Sequence, residues 1–85
     1  MTDNEFDILD ELYFVQSYKE LKETLGWKDQ QLIDTLKELV KKGWVKCFDS
    51  AGSEEVVEQP KLADNYSNYR YLATKAGLLK HTGGE

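Results

Sequence analysis

Few residues in this chain have types and spacing that could do chemistry. Cys47 is the only cysteine and His81 the only histidine. A single cysteine excludes an intramolecular disulfide and a cysteine-cluster zinc site. His81 stands near the C-terminus with no cysteine or carboxylate at metal-ligand spacing, and no glycine-rich stretch reads as a phosphate cradle. No enzymatic activity, metal or cofactor is expected. The stretch "DQQLIDTLKELVKKGWV", Asp29 to Val45, is different. The amides of Gln30 and Gln31 have the donor–acceptor pair that matches adenine, and Asp34 could accept from cytosine. Lys28, Lys37 and Lys41 could meet phosphates.

Those side chains need a helix to position them. Leu32, Leu36, Leu39 and Val40 recur at helical spacing, flanked by Ile33. This predicts helix 3 over residues 29–42, with Asp29 as its N-cap, cations Lys41 and Lys42 in the last turn, and Gly43 as its stop. The face opposite the leucines then carries Gln30, Gln31, Asp34, Glu38 and Lys41, with Lys37 and Lys42 at its edges. Helix 1 is expected at residues 3–14, capped by Thr2 with Glu5 and burying Phe6, Ile8, Leu9, Leu12 and Tyr13. A short connector at Val15–Gln16 follows. Ser17 with Glu20 caps helix 2, which ends at Leu25 before a left-handed Gly26.

"WVKCF" and "YRYLA", Tyr69 to Ala73, alternate as strands. The twenty residues between them hold the only proline and read mostly as loop, with "EVVEQ" able to extend a strand. Thr74 caps a short last helix, and "TGGE" is a frayed tail. The fold expectation is therefore α+β, mostly helical, in the order H-H-H-β-β-H. It comprises a three-helix bundle with a two-stranded wing, in one domain over residues 1–85. Its helix-turn-helix spans residues 17–42, its wing residues 44–73 and its C-terminal helix residues 74–81.

Composition limits the partners. At 85 residues the chain is one small domain, and its net charge is −5, from 16 acids against 11 bases. Arg70 is the only arginine. The charge is unevenly spread. Residues 1–25 have seven acids and two lysines, and residues 49–68 have five acids and one lysine. Residues 26–48 have five lysines and three acids, and residues 69–85 have three bases and one acid. Positive charge thus collects in helix 3, the strands and the last helix. There is no secretion signal and no apolar run of membrane-spanning length, so a cytoplasmic protein is expected. Trp27 and Trp44 are expected at the rim of the core, and Cys47 inside it.

"LKELVKKGWV" followed by "YLATKAGLL" resembles the bacterial winged-helix transcriptional regulators of the MarR and PadR groups. The features that carry the resemblance are Leu39, Gly43, Trp44, Val45, Thr74 and Gly77. The resemblance implies a DNA-binding regulator that places helix 3 in the major groove of duplex DNA as a homodimer. The implied contacts are Ser17 at the start of helix 2, Lys28, Gln30, Gln31 and Asp34, with Lys37, Lys41 and Arg70 on phosphates. The alternative is a protein–protein module that does not bind DNA. Its acidic face, Asp3, Asp7, Asp10 and Glu11 with Glu54, Glu55 and Glu58, would then meet a basic partner protein.

Overall fold

The computed structural model describes residues 2–49, 56–57, 62 and 66–83. The loop acids Glu54, Glu55 and Glu58 lie outside the described residues. The chain begins with α1, Asp3–Glu11, set by a reciprocal cap: Glu5 N donates to Thr2 Oγ1 at 3.2 Å, and Thr2 N donates to Glu5 Oε1 at 2.9 Å. Ser17 and Glu20 repeat that cap at the start of α2, Tyr18–Leu25. Gly26 ends α2 at φ +68°, a left-handed conformation that suits glycine. Next is α3, Asp29–Lys41. The hairpin strands β2, Val45–Asp49, and β3, Tyr69–Ala73, are followed by α4, Lys75–His81, capped by Thr74.

Two expectations are corrected here. Helix 1 stops at Glu11, so Tyr13, Phe14 and Val15 lie beyond it and are exposed. The supposed connector contributes a strand, β1, Gln16–Ser17. It pairs antiparallel with β3, Gln16 opposite Tyr71 and Ser17 opposite Arg70, so the sheet has three strands in the order β1-β3-β2. Two residues carry no alternation to read, and such a strand exists only through its partner. The fold is a small, mostly helical α+β domain with four helices and a three-stranded antiparallel sheet among the described residues.

The core lies between the helices and one face of that sheet. Ile8, Leu9, Leu12, Leu21, Leu32, Leu36 and Leu39 are buried against Val45, Cys47, Tyr71 and Ala73. Leu62, from the stretch read as loop, is buried with them, and Val56 bridges Phe48. Because strand side chains alternate, Lys46, Phe48, Arg70 and Leu72 take the outward positions. Phe6 and Tyr13, expected in the core, are 45% and 44% exposed.

A tight joint couples α4 to the turn between α3 and β2. The Thr74 hydroxyl donates to Gly43 O at 2.6 Å and accepts from Gly77 N at 3.1 Å. Thr74 N donates to Trp44 O at 2.9 Å. Four of the six residues that carried the resemblance, Gly43, Trp44, Thr74 and Gly77, form this joint, and Leu39 and Val45 lie in the core. The far end of α4 is held by His81, which stacks on Phe6 with ring centroids 4.3 Å apart. Its Nδ1 is 3.0 Å from Tyr13 Oη, and its Nε2 is 3.3 Å from Asp10 Oδ1, close enough for an ion pair but not aligned for a hydrogen bond. His81 is therefore a packed side chain linking α4 to α1.

Candidate functional site

α2 and α3 meet at the short turn Gly26–Lys28, and Asp29 fixes how they meet. The expected N-cap role of Asp29 is overturned: Lys28 is the N-cap and makes no side-chain capping bond. The Asp29 carboxylate points back to α2, where it accepts from Tyr18 Oη at 2.6 Å and from Lys22 Nζ at 2.7 Å. Lys22, then Tyr18, lower the Asp29 pKa. Burial first, then Asp29, raises the Tyr18 phenol above its usual range. Two bonds to a neighbouring helix outcompete one local cap, since both of the partner groups carry strong donors.

At about 3.6 residues per turn, Gln30, Asp34, Lys37 and Lys41 share the side of α3 opposite its buried leucines. Gln30 is not uncommitted there. Its Nε2 donates to both Asp34 oxygens at 2.9 Å. Gln31 Nε2 donates to Asn4 Oδ1 at 3.2 Å. Thr35 Oγ1 donates to Gln31 O at 2.7 Å. Thr35, Glu38 and Lys42 face the start of α1 across an open polar groove of about 290 Å³.

Lys42 is also committed. Its Nζ is 2.6 Å from Glu5 Oε2 and 4.8 Å from the Trp44 ring centroid. Glu5 is only 3% exposed. Burial by itself would raise the Glu5 pKa, but hydrogen bonds from Lys42 and Thr2 outweigh it, and the net shift is downward. A carboxyl with a depressed folded pKa stabilises the fold above its unfolded pKa, and that contribution disappears as pH falls through the folded value. Glu5→Gln is accordingly expected to be less stable than wild type at neutral pH and to lose less stability between neutrality and about pH 3. Urea denaturation at the two pH values checks this, and equal acid sensitivity in both proteins would refute it.

Lys28, Lys37 and Lys41 are exposed, and none is in an ion pair among the described residues. Ser17 spends its hydroxyl on the α2 cap. Arg70 lies opposite Ser17 on the outward side of the sheet, its Cζ 6.0 Å from the Phe48 ring centroid and its Nη2 donating to Asp49 O at 3.4 Å. The fold thus gathers the three lysines on or beside α3 and sets Ser17 and Arg70 on the sheet. Cys47 is fully buried, and burial pushes its thiol up to about 12, so it stays protonated. Tyr71 is likewise inside, donating to Tyr66 O at 2.6 Å. Among the described residues no group of three or more His, Cys, Asp or Glu is placed to hold a metal, and no helix is long and apolar enough to cross a membrane.

Sequence reasoning missed the Asp29 clamp, the Glu5–Lys42 pair and the His81 contacts. Only the Gln30–Asp34 bond had a local signal, because residues four apart on a helix are neighbours. No family model, no curated protein and no solved structure matches this chain. Its own geometry is what carries a functional reading.

Proposed function

We propose that the chain is a winged helix-turn-helix domain that meets duplex DNA with α3 in the major groove and the β2–β3 hairpin as its wing. The observation that carries this reading is the set of exposed lysines on or beside α3 that form no ion pair among the described residues. Lys37 and Lys41 stand one turn apart, and Lys28 marks the helix start. The Asp29 clamp holds that helix at a set angle to α2. Because Gln30 is tied to Asp34, phosphate contact dominates and base reading is weak.

Three phosphate contacts give a salt slope of roughly −3, so raising salt from about 50 to 200 mM weakens binding about 40-fold. Fluorescence anisotropy on duplex pools measures it. Lys37→Glu with Lys41→Glu is expected to abolish binding while leaving the far-UV circular dichroism unchanged. If that double variant binds duplex as wild type does, α3 is not the contact.

A protein–protein module is the second reading. It is favoured by the exposed acids of α1, since Asp3 and Asp7 face solvent without an ion pair among the described residues. A basic partner would bind there. Absence of duplex binding at about 50 mM salt, where screening is weakest, would select this reading.

A further inference from the structure

Gln30 and Asp34 stand at the middle of the α3 side that faces away from the buried leucines, with Lys37 and Lys41 on the same side. Both side chains are exposed. They lie in the first two turns of the helix, the part of a docked recognition helix that contacts base edges. Gln30 Nε2 is 2.9 Å from each Asp34 oxygen, so the donor end of the amide is turned along the helix into the carboxylate. Gln31 is turned aside as well, its Nε2 donating to Asn4 Oδ1 at 3.2 Å. Asp34 forms no ion pair among the described residues, although two lysines share its side of the helix. Its carboxylate is held by an amide and keeps its charge.

That arrangement changes what the face can read. A free Gln amide offers a donor and an acceptor, which matches adenine N6 and N7. With Nε2 engaged by Asp34, Gln30 has its Oε1 left, and an ionised Asp has acceptors only. The pair therefore offers oxygen acceptors. In the major groove the donors are cytosine N4 and adenine N6, whereas guanine N7 and O6 and thymine O4 are acceptors and repel a carboxylate. The two donors are not equivalent. Adenine N6 stands between two acceptors, its own N7 and the O4 of the paired thymine. Cytosine N4 has guanine O6 on one side and only a C5–H on the other, so a carboxylate approaches it with less repulsion.

We propose that Asp34 is the base-reading residue of α3, accepting a hydrogen bond from cytosine N4, and that Gln30 is a positioning residue that fixes the direction of its carboxylate. This rests on the docking of α3 in the major groove proposed above. Lys28, Lys37 and Lys41 supply attraction to phosphates whatever the sequence. Asp34 opposes that attraction at every site, and the opposition is offset only where a cytosine donor meets it, which makes it a device for discrimination. One carboxylate contact takes the place of a bidentate pair, so the preference is modest, about tenfold over a site with another base at that position.

The test uses the full chain and a duplex library with a randomised central segment, bound at about 50 mM salt, where screening is weak, and sequenced. Duplexes that differ at the selected base pair then give affinities by fluorescence anisotropy. Wild type is expected to select cytosine at one position and to bind that duplex about tenfold more tightly than the other three. Asp34→Ala should move two quantities in opposite directions. Affinity for random duplex should rise severalfold, because a negative charge leaves the interface, while the cytosine preference is lost. Gln30→Ala leaves the charge unchanged and should reduce the preference to about threefold or less without raising affinity, a change that a purely electrostatic Asp34 would not show. Both positions are exposed, and circular dichroism checks that both variants keep the fold. Wild-type binding without a base preference, or an Asp34→Ala variant that still selects cytosine, would overturn this inference and leave the docking of α3 standing. Absence of duplex binding by wild type would overturn the docking of α3, and the inference with it.

Discussion

Gly77→Ala is expected to destabilise the fold by about 3 kcal/mol, the upper end of the usual penalty for overpacking. A Cβ at Gly77 would meet Trp44 O at 2.2 Å, Trp44 C at 3.0 Å and Leu9 Cδ2 at 3.1 Å. The first two are backbone atoms of the α3–β2 turn and cannot rotate away. Trp44 O also accepts from Thr74 N, so moving it breaks the α4 joint. Helix propensity argues the opposite sign. Alanine in a helix is better than glycine by about 1 kcal/mol, and Gly77 is not at a left-handed φ. The contact outweighs the propensity because separations this short are not tolerated without backbone movement. In a domain of this size the midpoint of thermal unfolding should fall by roughly 10–20 °C. An unchanged or raised midpoint would show that α4 does not sit this close to the turn.

Tyr71→Ala should cost about 3–5 kcal/mol, as other large-to-small aromatic substitutions in cores do. A chain of this length has a total stability of about 4–13 kcal/mol, so the substitution should remove from about a quarter of it to all of it. Tyr71 is fully buried on β3, the central strand, with Gln16 opposite it on one side and Cys47 on the other. Removing its ring empties the space between the sheet and the helices. Tyr71→Phe isolates the hydroxyl, which donates to Tyr66 O at 2.6 Å. That change should cost only about 1 kcal/mol. Urea titration of both variants separates the terms. Similar losses in the two would mean that the hydrogen bond, rather than the packed ring, holds the 3₁₀ turn Tyr66–Asn68 to the core.

What could be read from the sequence was what is decided within one turn of chain. Thr2 with Glu5, Ser17 with Glu20, and Thr74 with Gly77 are caps three residues apart, and each forms as its spacing implies. The leucine stripe of α3 was legible for the same reason, and Gly26 and Gly43 do take positive φ where the helices end. Tyr69–Ala73 showed itself as a strand through alternation. The Gln30–Asp34 bond obeys the same local rule and went unread, although it decides what the exposed face of α3 can offer.

The rest was settled by how the elements cross. β1 needs β3 opposite it, more than fifty residues further on. Lys42 reaches Glu5 across 37 positions, and His81 reaches Tyr13 across 68. Asp29 gives up its local cap because the packing of α2 brings it two better donors. Leu62 is buried although its surroundings read as loop. Spacing along the chain encodes periodicity and capping, because those depend on neighbours a few residues away. It does not encode which side chains meet when helices and strands pack, because that depends on the position and angle of elements distant in sequence. The helix proposed to meet DNA was therefore set locally. Its commitments to Asn4 and Glu5 were set only by the tertiary fold.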